Sequence, residues 1–193
     1  AMVKHWYGYE PQEAGRDSHF SHGKFAVYPG NNLAEHKLSF IDGAFKLEGG
    51  TEMASAVMPI YSILWNQDPS GENVGGSYSQ WLIQKQLREE ARFEGVVCTD
   101  WGITKDMKVL DSPMGGKPWG VESLTEAERH YKILQAGVDQ YGGNNEIGPV
   151  LAAYDMWAKA QGEKSARQRF EQSARRLLLN VFRVGLFEHP YID

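Results

Sequence analysis

Gly95-Val96-Val97-Cys98-Thr99-Asp100-Trp101-Gly102 is the stretch on which the fold turns. A glycine opens it, apolar and mostly β-branched residues fill it, and an acid, an indole and a second glycine close it. A short apolar run of this kind has the pattern of a strand buried on both faces, as in a parallel sheet. If such a sheet closes into a (β/α) barrel, a carboxylate at the strand's C-terminal end stands on the catalytic face. Taken alone, these residues favour the plainer reading of a strand whose acid caps the next loop, since a fold does not carry a function.

Two further stretches have the same character. Ser55-Ala56-Val57-Met58-Pro59-Ile60-Tyr61 reads as a buried strand closed by Pro59, and Gly137-Val138-Asp139-Gln140-Tyr141 as another, ended by the turn Gly142-Gly143-Asn144-Asn145. Val3-Lys4 leaves only a stub of strand before His5-Trp6. Between them lie helical patterns. Asn32 caps one that carries Leu33, Phe40, Ile41, Ala44 and Phe45 and stops at Gly49-Gly50. Ser77 with Gln80 opens a second, running to about Phe93, and Ser123 with Glu126 opens a third through Leu124, Ala127, Tyr131 and Leu134. A fourth covers roughly 147–161. The last has the cleanest stripe, Phe170, Ala174, Leu177, Leu178, Val181 and Phe182. The loop through Gly15-Arg16-Asp17-Ser18-His19 to Tyr28-Pro29-Gly30 lacks periodicity, and loops of its length in compact domains are usually functional or disordered.

Strict alternation of strand and helix predicts parallel strands joined by right-handed crossovers. A complete barrel takes eight strands and typically about 250 residues; this chain has 193. The expectation is an α/β fold that is a partial (β/α)8 TIM barrel, its last three to four strands with their helices. Residues 1–193 form one unit, with Ala1-Met2 as a cloning remnant and 185–193 as an extended, linker-like tail. A partial barrel has open strand edges, which invite pairing with another chain, so a homo-oligomer or a complementary barrel half is expected as partner.

A net charge of −5 argues against nucleic acid and anionic membrane surfaces as partners. No apolar run is long enough to span a bilayer. The single cysteine, Cys98, excludes an internal disulfide and a cysteine metal cluster. The histidines and acids show no metal-ligand spacing, and no cofactor is expected. No signal peptide is visible, and the cellular location stays open.

In order and spacing these motifs resemble glycoside hydrolase family 3, namely the second half of its N-terminal catalytic barrel, from Val3 to Asp193. Lys4-His5-Trp6 resembles the family's Lys-His-aromatic motif, Val57-Met58-Pro59-Ile60-Tyr61 its sixth strand, Cys98-Thr99-Asp100-Trp101-Gly102 its Ser/Thr-Asp-Trp signature, and Ala136-Gly137-Val138-Asp139 its eighth strand. Phe182-Arg183-Val184-Gly185-Leu186-Phe187 resembles the exit toward a second domain. The loop wording is most similar to bacterial β-glucosidase-type members.

The resemblance implies a retaining, exo-acting β-glycosidase with Asp100 as nucleophile. Lys4 and His5 are then donors to sugar hydroxyls, Trp101 a stacking face, Tyr61 a donor near the nucleophile, and Met58 and Arg16 further substrate contacts. Arg16 could instead brace its loop with Asp17. An aspartate suits the first role because its ordinary pKa of about 3.9 leaves it ionised at neutral pH. In two-domain members the acid/base is a glutamate of a domain this chain lacks. Asp17-Ser18-His19 resembles the Asp-His acid/base of the β-N-acetylglucosaminidase branch, although a structural role is the preferred reading of the pair. His22 and His36 read as surface or packing residues. Two readings therefore stand: the nucleophile-bearing part of a β-glucosidase-like enzyme, poorly active or inactive by itself, and a non-catalytic half-barrel that self-associates.

Overall fold

Strand alternation divides the apolar residues of the central sheet between its two faces. Val57 and Val97 join the main core with Leu82, Ile83, Leu87 and Ile133, while Ala56, Val96 and Cys98 meet Leu177 on the other side. Both faces are covered, as the unbroken apolar runs require. The structure is a computed structural model and describes residues 1–9, 11–108 and 110–191. The last two residues of the expected tail lie outside the described residues.

Among the described residues the strands are β1 (Met2–Trp6), β2 (Phe25–Ala26), β3 (Ala56–Pro59), β4 (Ile63–Leu64) and β5 (Val96–Val97). The main sheet is parallel, in the order β1-β3-β5. Its register sets Val3 against Val57 and Val57 against Val97. A single parallel bridge, Cys98 to Gln140, extends it by one more position. β2 and β4 form a small parallel pair among the loops. The helices are α1 (Leu33–His36), a wide helix Trp81–Glu90, α2 (Glu126–Ala136), α3 (Ile147–Gln161) and α4 (Glu163–Arg183).

Several expectations need correction. The stub before His5 is a whole strand that begins at Met2, and the Ala1 ammonium donates to Ser55 Oγ. The expected strand over 137–141 shrinks to its one bridge, because the Asp139 and Gln140 N–H groups share a single acceptor, the Val97 carbonyl. The helix expected from Asn32 breaks after α1 into a wide turn, Ser39–Ala44, in which Phe45 N–H donates to the Phe40 carbonyl. That five-residue step puts both phenyl rings against Trp6, at 5.1 and 5.7 Å.

Neither capping box forms where expected; the capping hydroxyl lies two residues later in each case. Ser79 Oγ accepts from Leu82 N–H while Ser77 is buried, and Thr125 and Glu128 form the reciprocal box of α2. Ser123 and Glu126 offer the same pattern, but Val121 and Leu124 are held in the preceding turns by bonds from their N–H groups to Pro118 and Val121. The tail is not extended over 184–188: it coils back, with Leu186 N–H donating to the Val181 carbonyl and His189 N–H to that of Gly185.

Asp139 ties the layers together. Its fully buried carboxylate accepts from Arg88 of the wide helix, from Ser173 and Arg176 of α4, and from Val97 N–H. α4 is thereby anchored beneath β5, where Leu177 covers Val96.

Candidate active site at the end of a parallel strand

β5 is gripped where it ends. Thr99 N–H donates to the Gln140 carbonyl at 2.9 Å, and Thr99 Oγ1 accepts from Gly142 N–H at 2.8 Å. The next residue is Asp100, only 8% exposed. Its Oδ1 accepts from the Tyr61 hydroxyl and from Trp101 N–H, each at 2.7 Å. Its Oδ2 faces His5 Nε2 at 3.3 Å. Burial pushes this carboxyl's pKa up, but the bonds from His5, Tyr61 and Trp101 N–H outweigh burial and hold it below the ordinary aspartate value. Tyr61 moves the opposite way, raised by burial and by the neighbouring carboxylate, and so remains a donor. Burial, with Asp100 adding to it, pushes the Cys98 thiol up to about 11, so it stays neutral beside the acid.

Three elements thus deliver His5, Tyr61 and Asp100 to one point: the end of β1, the turn after β3 and the end of β5. Tyr9, which the sequence did not single out, stacks on His5 at 4.7 Å and accepts from Ser18 Oγ. Asp17 and His19 form a closed pair: Asp17 Oδ1 accepts from His19 N–H at 2.9 Å and meets Nδ1 at 2.6 Å. The His19 backbone bond, then the ring, holds the Asp17 carboxyl below its ordinary pKa. The His19 ring centre lies 5.0 Å from that of Tyr61, which places the pair next to the Asp100 cluster. The loop that carries it is clasped by the segment after Asp100. Trp119 Nε1 donates to the Ser18 carbonyl, Asp111 Oδ2 accepts from Ser21 N–H and Oγ, and Lys24 pairs with Glu122.

Among the described residues, the side chains of the remaining candidates make no hydrogen bond to Asp100. Lys4 is exposed and lines a cavity of about 240 Å³ with His5, Glu35 and His36. Met58 is buried in β3, in register with Lys4. Arg16 is exposed and reaches the His22 carbonyl rather than Asp17. Trp101 is 52% exposed and borders an open cleft of about 450 Å³ with Gln140, Gly142 and Asn144. Its indole lies on Gly143, where an added Cβ would come within 2.1 Å of the ring.

His22 stacks on Phe20, and His36 lies edge-on to Tyr28. Among the described residues, no group of three or more His, Cys, Asp or Glu side chains converges to hold a metal, and no helix is long and apolar enough to cross a membrane. Sequence reasoning also missed Lys117, a buried ammonium 5.2 Å from the Tyr61 ring centre. A lone lysine in a loop of glycine, proline and methionine carries no signal of burial.

No protein-family model matches the chain. Individual relatives do. The periplasmic beta-glucosidase/beta-xylosidase of Dickeya chrysanthemi is 38% identical over all of this chain, which spans 30% of that protein. The probable beta-glucosidase C of Aspergillus flavus is 41% identical over all of this chain and 28% of its own length. Among solved structures, the β-glucosidase of Listeria innocua superposes on 98% of this chain and 22% of its own, with a TM-score of 0.66 at 20% identity. That match speaks to the fold: parallel sheets that correspond to part of a larger domain. Spanning less than a third of the curated relatives it matches, yet matching them from end to end, the chain belongs to glycoside hydrolase family 3, as a segment of its β-glucosidase-type sequences.

Proposed function

We propose that this chain carries the nucleophile side of a retaining, exo-acting β-glycosidase of the β-glucosidase type. In this reading its sheet is the last three to four strands of a (β/α)8 barrel, residues 1–193 are the C-terminal half of that barrel domain, and the tail leads toward a further domain. The observation that carries the reading is Asp100: an ionised carboxylate at the C-terminal end of a parallel strand, with Oδ1 occupied by two donors and Oδ2 facing His5. In the first step Oδ2 bonds to C1 of a terminal β-linked sugar as the C1–glycosidic oxygen bond breaks, and the leaving oxygen takes a proton. In the second, water attacks C1 and gives up a proton to the group that supplied the first, the bond from Oδ2 to C1 breaks, and the anomeric configuration is retained. Trp101 offers its exposed indole to the sugar's carbon face, and His5, Lys4 and Arg16 are donors to its hydroxyls.

Intact mass and peptide mapping after incubation with 2-deoxy-2-fluoro-glucosyl fluoride test this. One added sugar on Asp100, absent in Asp100→Asn, is the expected result. A folded chain that takes no label overturns the reading for this polypeptide.

The contact between His19 and Tyr61 favours a second reading of the proton donor, in which Asp17 and His19 serve as the acid/base of a β-N-acetylglucosaminidase-type member. With Nδ1 held by Asp17, Nε2 can deliver and recover a proton. His19→Ala then slows glycosides with poor leaving groups far more than those with good ones; an equal effect on both removes the pair from the chemistry. The non-catalytic alternative draws on exposed Leu178, Phe182 and Phe187, which leave an apolar surface on and beyond α4. There the chain associates with a second copy or with a complementary barrel half. A monodisperse monomer in sedimentation velocity excludes self-association.

A further inference from the structure

We propose that Lys117 is a positioning residue for the nucleophile: its sealed ammonium sits on the Tyr61 ring and, through Tyr61, holds Oδ1 of Asp100 so that Oδ2 is left to react. This rests on the reading of Asp100 as nucleophile. Lysines are almost never fully buried unless paired, yet Lys117 is 4% exposed. Among the described residues it has no carboxylate at ion-pair distance. Its Nζ donates to the Gly115 carbonyl at 2.9 Å, lies beside Gly102, and stands over the Tyr61 ring 5.2 Å from its centre. The backbone fixes it there, through Lys117 N–H to the Gly102 carbonyl, two residues past Asp100.

A cation on an aromatic face is attracted by the ring's quadrupole. On a phenol it also draws electron density from the oxygen and strengthens the O–H as a donor. That O–H is the one bonded to Asp100 Oδ1 at 2.7 Å. Burial favours a neutral amine at Lys117, while the charges of Asp100, Asp17 and Asp111 favour the ammonium. The other groups facing Asp100 and Tyr61 are His5 and Tyr9, Cys98 along the strand, and His19 over the Tyr61 ring. None of these places a second lysine or an arginine against the ring.

The test is a ¹³C NMR titration of the Asp100 carboxyl, identified by its loss in Asp100→Asn. It is run on the whole chain and on Lys117→Met, Lys117→Gln, Lys117→Arg, Tyr61→Phe and the Lys117→Gln/Tyr61→Phe double variant, with folding followed by circular dichroism. The glutamine keeps a donor for Gly115 if the methionine does not fold. Removal of the ammonium is expected to raise the Asp100 titration by about half a pH unit, arginine to restore it, and the increment to shrink in the Tyr61→Phe background, where only the direct charge interaction of Lys117 with Asp100 is left. No change in a folded variant, or the same increment with and without the Tyr61 hydroxyl, overturns the proposal. The titration needs no turnover, so it and the fluorosugar labelling fail independently.

Discussion

Asp100 stays ionised although it is nearly sealed, because three donors meet one carboxylate. Loss of the Tyr61 hydroxyl takes a donor from a buried charge. Tyr61→Phe is therefore expected to raise the Asp100 titration and to cost about 1–3 kcal/mol at neutral pH, read as a lower urea midpoint with an unchanged slope. Gly143→Ala adds a methyl where the Trp101 ring lies, at a backbone φ of +63° that favours glycine. The indole must swing away, which near-UV circular dichroism detects as a changed tryptophan band. His5, Tyr61 and Trp101 were legible because each belongs to an apolar run or a motif with a defined end. Tyr9 and Lys117 were not, since their roles come from which loops fold over the strand ends and no local pattern encodes that.

At the scale of elements, two nested Ser/Thr-x-x-Glu patterns compete to start α2, and the structure awards the start to Thr125. Thr125→Ala is expected to cost about 1 kcal/mol while Ser123→Ala stays near zero, a difference chemical denaturation resolves. The Asp139 junction joins the wide helix, β5 and α4. Asp139→Ala leaves the buried guanidinium of Arg88 without its carboxylate and is expected to cost about 3–5 kcal/mol, enough to drop the thermal midpoint sharply in calorimetry. Helix α3 was legible to the residue, being long and bounded by Gly162 at its end. The boundaries of shorter elements shifted because packing against Trp6, and the single carbonyl of Val97 shared by two N–H groups, outweighed local preference.

The whole molecule should lose stability toward acid in two stages. His130 is buried, its Nδ1 on the Glu126 carbonyl and its Nε2 against Asn144 Nδ2, and burial holds its pKa below the ordinary 6.5. A group with a depressed folded pKa contributes stability that is full above its unfolded pKa and is lost as pH falls through the folded one. The first loss thus begins below about pH 6.5. The second, from Asp100, comes at lower pH, as the solution passes the depressed value of that carboxyl. Urea midpoints measured from pH 7.5 down to about 2.5 should fall in both ranges, and His130→Gln should flatten the upper part of that curve.

By itself, the sequence determined that parallel strands alternate with helices, that Asp100 follows one of them, and which family the motifs belong to, because strand burial and strand ends are local patterns of residue type. Only the tertiary structure decided which oxygen of Asp100 is occupied and which is open, that the Asp17–His19 pair lies against Tyr61, and that a buried lysine backs the ring. Those facts depend on angstrom-scale distances between residues as many as 95 positions apart, as His5 and Asp100 are, and such distances arise from loop packing rather than from any periodicity along the chain.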